Sequence, residues 1–149
     1  MSMGFLFGGS SIQGTAANIG LAILRIFSGL AMALAHGIEK VPPSERMITN
    51  LGNMGFPLPN LFAWAAGSAE LFGGVFLAAG FMTRISAFFV SFTMVIAAFV
   101  AHAGDPFGRK EKALLFLCIG VMYLLVGAGK YSIDALIKKQ DEIANQDSW

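Results

Sequence analysis

The chain has 149 residues, 56% of them hydrophobic and only 13% charged, with 18 glycines and a formal net charge of +1. Soluble domains carry roughly 25% charged residues, so the composition points to a membrane protein, read as one domain, with no reason to expect a nucleic-acid partner. The lone cysteine, Cys118, excludes a disulfide framework, dithiol chemistry within one chain and cysteine-ligated zinc or iron–sulfur centres.

Residues 1–17 are glycine-rich and lack Lys and Arg, so they do not read as a cleaved signal peptide, and the first helix is expected to direct its own insertion. Four apolar segments come close to the ~20 residues that a bilayer core requires, at about 18–38, 60–82, 84–103 and 110–128. Asn18 and Asn60 are candidate N-caps, and Pro57 and Pro59 bar an earlier start to the second helix. Only Met82-Thr83-Arg84 separates the second and third segments, which must be antiparallel neighbours. The first loop contains Pro42-Pro43 and then a stretch in which Met47, Ile48 and Leu51 share a face, the pattern of a short interfacial helix. A tight turn around Asp105-Pro106 precedes the fourth segment. Residues 132–149 read as a short amphipathic helix capped by Ser132, with a fraying polar end. The expected fold is all-α: a four-transmembrane-helix bundle over residues 1–149 in the lipid bilayer, with those two short helices added. An even helix count puts both termini on one side, but four Lys/Arg against five leaves the orientation open.

The charges inside the apolar segments are the candidates for chemistry. At 100° per residue, Arg25, His36 and Lys40 fall on one side of the first helix. A charge in hydrocarbon is expensive and should face protein with a partner. Glu70, on a ridge with Ala66, Gly74 and Ala78, is the expected partner of Arg25, at depths that differ by about 7 Å at ~1.5 Å per residue. This pair is either a register-fixing ion pair or a polar pocket for a ligand head group or a proton. His36 and His102 lie about one turn inside the end opposite the termini, where Lys40 and Glu111 also fall. Arg84 and Ser91 share the His102 face. Two imidazoles, a carboxylate and an ammonium at one membrane edge suit proton handling or a quinone carbonyl, and the two histidines also admit a bis-His haem. The bland alternative is a pair of interfacial histidines bonded to loop backbone. Gly127-Ala-Gly-Lys130 lacks the spacing of a phosphate loop.

Four stretches resemble the DoxX family of small four-helix membrane proteins: LRIFSGLAMALAHGIEKV (24–41), AELFGGVFLAAGFMTRISA (69–87), VAH (100–102) and GAGKYSIDAL (127–136). The resemblance implies a four-helix bundle in a bacterial inner membrane with cytoplasmic termini. It also implies association with membrane oxidoreductase complexes, since the family takes its name from a subunit of a thiosulfate:quinone oxidoreductase system. Arg25, His36, Lys40, Glu70, Arg84 and His102 fall on the matching motifs, and Lys130 stands where members often carry Arg. Three functions follow: a quinone-linked redox subunit, a non-catalytic accessory or scaffold subunit of a membrane redox complex or homo-oligomer, and a small-solute transporter.

Overall fold

The computed structural model describes residues 12–146, which form six helices and, among these residues, no strand. They are α1 (Thr15–Met32), α2 (Glu45–Asn53), α3 (Pro59–Ala79), α4 (Thr83–Ile96), α5 (Phe107–Val126) and α6 (Ile133–Gln146). Past Met32, α1 continues through a π-helical turn, Ala33–Gly37, and a 3₁₀ turn, Ile38–Lys40; α4 continues through a second π-helical turn, Ala97–Ala101. The expectations for residues 1–11 and for the end beyond Gln146 lie outside the described residues.

Helix boundaries depart from the sequence reading where backbone chemistry outweighs side-chain capping. Asn18 is not the N-cap of α1, which starts three residues earlier after Gly14. The Asn18 side chain is buried instead, donating to the carbonyls of Ile12 and Gly14 and accepting from the Lys130 amide at 2.8 Å. Asn60 is not a cap either: Pro59 opens α3, a position where its missing N–H costs nothing. α3 stops at Ala79 because Gly80 takes a left-handed conformation (φ 69°) that ends the helix. The shorter α2 is capped by the Ser44 hydroxyl, which accepts from the Met47 amide, and α6 by Ser132, which accepts from Ala135. Met47, Ile48 and Leu51 are half-buried on the side of α2 that packs on α3.

α1, α3, α4 and α5 pack in that order, with the α1–α3 interface, counted through Lys40, the largest and only a slight contact between α1 and α5. Close approach of α1 to α3 depends on glycine: a Cβ on Gly74 would lie 2.8 Å from the Ala33 nitrogen and the Gly29 oxygen. At one end Tyr123 is fully buried and donates to the Leu21 carbonyl at 2.7 Å, tying α5 to α1.

Polar side chains are buried while large apolar ones face outward. Arg25, Ser28, Glu70, Thr83, Ser91 and Asp134 are buried, while Ile23, Phe27, Leu34, Phe72, Phe99 and Leu125 are exposed. That inversion suits a chain whose solvent is hydrocarbon, where polar groups must be met from within. Thr15–Lys40, Pro59–Ala79 and Thr83–Ala101 are long and apolar enough to cross a membrane. α5 has comparable length, but Arg109, Lys110, Glu111 and Lys112 occupy its first six residues.

Candidate functional site

At the Lys40 end, α1, α3, α4 and α5 surround a cavity of about 180 Å³ that His36, Lys40, Glu70, His102, Arg109 and Lys112 line with Met94, Ala97, Ala113 and Phe116. Its geometry starts from two glycines. A Cβ on Gly37 would lie 2.5 Å from the Leu71 Cα, and one on Gly67 would lie 2.6 Å from the Lys40 carbonyl oxygen. Only hydrogen at both positions lets the end of α1 lie on the Glu70 turn of α3. Lys40 Nζ then donates to both carboxylate oxygens of Glu70, at 2.7 and 2.6 Å. Glu70 is 1% exposed and the Lys40 side chain 35%, so the carboxylate is sealed in protein while the ammonium keeps access to the cavity mouth. An unpaired carboxylate at that depth would be expensive, and Lys40 supplies its counter-charge.

Both π-helical turns border this cavity. His36 sits within the first and Ala97 opens the second, with His102 just beyond it. A π-turn inserts an extra residue into the helix and re-aims the side chains that follow, which is why such turns gather at functional sites. His36 packs edge-on against Phe116 with ring centroids 5.7 Å apart, one of the few points where α1 meets α5. His102 Nδ1 lies 2.8 Å from Asp105 Oδ2. An ionised carboxylate can only accept, so Nδ1 carries the proton and Nε2 is left as an acceptor in the neutral ring. The same hydrogen bond from His102 is the main reason the Asp105 carboxyl is held below the usual carboxylate range, with Arg109 adding to it. The site therefore combines fixed cations, one sealed carboxylate and an imidazole with a free basic nitrogen, a set able to bind an electronegative ring substituent and move a proton to or from it.

The single seam expected from Arg25 to Lys40 is not formed. Glu70 pairs with Lys40, whereas Arg25, 2% exposed, donates from Nη1 to the Ala128 carbonyl at 2.7 Å and from Nη2 to the Tyr131 carbonyl at 2.8 Å. Gly80, where α3 ends, adjoins that guanidinium; at ~1.5 Å rise per residue it lies about 15 Å along α3 from Glu70. Asp134 joins the same end, accepting from the Met82 and Thr83 amides at 2.7 and 2.9 Å and so capping α4. Arg84 is there too, with Nη2 donating to the Leu125 carbonyl at 3.1 Å. Glu111 is exposed and does not line the cavity; its neighbours Arg109 and Lys112 do, because 109, 112, 113 and 116 share the face of α5 that borders it. Asp105, read from sequence only as a turn former, was missed as a partner of His102. The signal for it was the i, i+3 spacing at a helix end. The cavity is smaller than the roughly 300–1,000 Å³ of drug-sized ligand sites. Among the described residues no group of three His, Cys, Asp or Glu side chains could hold a metal ion.

The DoxX family model matches residues 20–103, more than half of the chain. The chain belongs to the DoxX family. The matched span contains Arg25, His36, Lys40, Glu70, Arg84 and His102, and stops before the charged start of α5. A curated relative is the Bacillus subtilis (strain 168) protein named "Putative oxidoreductase CatD", 29% identical over 128 residues that cover 85% of this chain and 93% of that protein. No solved structure matches the chain. Family membership and the apolar helices make this an integral membrane protein in contact with the lipid bilayer.

Proposed function

We propose that this DoxX protein is a quinone-linked subunit of a membrane oxidoreductase system, with the Lys40/Glu70 cavity as the site for the quinone ring. The observation that carries the reading is the sealed Glu70 carboxylate held by Lys40 beside His36 and His102 in one cavity of about 180 Å³, a size suited to a single substituted ring. Lys40 and Arg109 supply positive charge for a carbonyl oxygen that gains electron density on reduction. His102, oriented by Asp105, is positioned to exchange one proton through Nε2, and His36, which lines the same cavity, to exchange the other. Reduction of a quinone to the quinol takes two electrons and two protons. With one cysteine, the chain has no dithiol to supply the electrons, so a partner protein of the complex delivers them.

In this reading α5 is the fourth crossing of a four-helix bundle, with its charged first turn at the membrane edge beside the cavity. Leu115, Val121 and Leu125, exposed along α5, support lipid contact there. α2 and α6 lie at the two interfaces, residues 1–149 act as one unit, and the termini face the cytoplasm of a bacterial inner membrane. The test is a quinone titration of the purified protein in lipid nanodiscs, followed by Lys40→Met and Glu70→Gln. Saturable binding that both variants weaken supports the reading; no binding to the folded wild-type chain refutes it. A scaffold role predicts the opposite pattern for Glu70→Gln, which should then impair assembly while turnover per assembled complex is unchanged.

A further inference from the structure

The cavity does not end at its polar walls. Lys40, Ala97 and His102 line both it and a wider recess of about 550 Å³ roofed by α2. Leu51 of α2 and Ile96 of α4 line both that recess and an apolar groove of about 160 Å³ on the outer faces of α3 and α4. Ala65, Ala69 and Phe89 then line both this groove and its continuation, about 390 Å³, which reaches Met82. The shared residues set the four recesses side by side in a row, whose lining changes from charged at the cavity to mostly apolar beyond Leu51, with Thr93, Ser68 and Ser86 its polar residues there. From Ile96 to Met82 the apolar part follows α4 for 14 residues, about 21 Å at ~1.5 Å per residue.

We infer that the ligand of this site is an amphiphile with a ring head and one long apolar tail, and that the tail leaves the cavity beneath α2 and lies along the α3/α4 groove. The inference rests on the proposed quinone reading and specifies it as a prenylquinone that enters from the bilayer. A phospholipid fits less well, because the floor of small residues at Ala65 and Ala69, walled by Phe62, Phe72, Phe89 and Phe92, accommodates one chain rather than two. Apolar contact in a bilayer gains little over contact with lipid. The groove therefore acts mainly by aligning the tail so that the ring arrives at Lys40 in one orientation. α2 is the roof under which it passes.

The experiment compares a tail-less dimethoxy-methyl-benzoquinone with its decyl derivative, binding each to the full chain in nanodiscs. Ala65 is exposed on the outer face of α3, so Ala65→Phe fills the groove without disturbing the interior. The expected result is that Ala65→Phe weakens the decyl compound about tenfold, equivalent to about 1.4 kcal/mol, and leaves the tail-less compound unchanged, while Lys40→Met weakens both. If the wild type binds both compounds and Ala65→Phe affects neither, the tail path is wrong and the ring site stands. If the wild type binds neither, the quinone reading itself fails. A second measurement needs no mutation: a diazirine at the end of the decyl chain should label residues between 65 and 89. Labelling confined to Phe27 on α1 or Leu125 on α5 overturns the path. So does displacement of the decyl compound, but not the tail-less one, by stoichiometric diacyl phospholipid.

Discussion

Removing Lys40 should show how the sealed carboxylate is held. Lys40→Met deletes both hydrogen bonds to Glu70, at 2.6 and 2.7 Å, and leaves a carboxylate that is 1% exposed without a counter-charge. Breaking a fully buried pair from one side costs about 3–5 kcal/mol; the ammonium is about one-third exposed, which lowers the expected loss to about 2–3 kcal/mol. For a chain of this size that corresponds to a fall in Tm of about 4–12 °C. Glu70→Gln should cost less, about 1 kcal/mol, because it leaves a cation with access to water rather than a buried anion. The double variant Lys40→Met/Glu70→Gln should recover part of the Lys40→Met loss, giving a coupling of about 1–2 kcal/mol in a cycle measured by thermal unfolding in detergent. The Arg25→Gln/Glu70→Gln cycle is the control. These residues share no partner, so their effects should add within about 0.5 kcal/mol. A neutral Lys40→Met, or an Arg25–Glu70 coupling above about 1 kcal/mol, would refute this assignment of partners.

Arg25→Lys keeps the charge but cannot reach the Ala128 and Tyr131 carbonyls together; a loss of about 2–4 kcal/mol is expected, read as faster amide exchange at Lys130–Ala135. Gly80→Ala meets the Arg25 guanidinium and a φ of 69°, so about 2–4 kcal/mol of destabilisation should appear in the unfolding midpoint. Asp134→Ala uncaps the Met82 and Thr83 amides at the start of α4 and should cost about 1–2 kcal/mol by the same measurement. Asp105, held below its ordinary value of 3.8 chiefly by the His102 hydrogen bond, contributes stability that is fully present above that value and is lost as pH falls through the lowered one. The Tm difference between wild type and Asp105→Asn should therefore stay constant on acidification to about pH 4 and shrink only below it; a difference that decays well above that point would count against the contact.

The helices were legible in the sequence to within a few residues because hydropathy and Pro/Gly punctuation decide them. The identity of the cavity's acidic and basic residues was legible in part. His36, Lys40, Glu70 and His102 do meet in one place. The wiring was not legible, for physical reasons. Opposite charges invite pairing on a helical wheel, but the partners of Arg25 are main-chain oxygens more than 100 positions away, which no side-chain pattern announces. The wheel itself slips at Ala33–Gly37, where a π-turn breaks the 100° phase between Arg25 and Lys40. Glu111 was chosen for its level at the start of α5, but depth alone does not say which face is inward, and Arg109 and Lys112 are the residues that line the cavity.

The clamp on Arg25 also sets an order of events during synthesis. Its two acceptors, Ala128 and Tyr131, lie 103 and 106 residues downstream. At about 5–20 residues per second, α1 waits about 5–20 s in the membrane before the carbonyls that satisfy its guanidinium exist. During that interval the Arg25 guanidinium lacks both of the carbonyls that hold it in the folded chain. Docking of the 128–131 segment is then the step that commits α1. A chain cut short before Ala128 should accordingly be recognised and degraded, even though every residue lining the cavity has already been made.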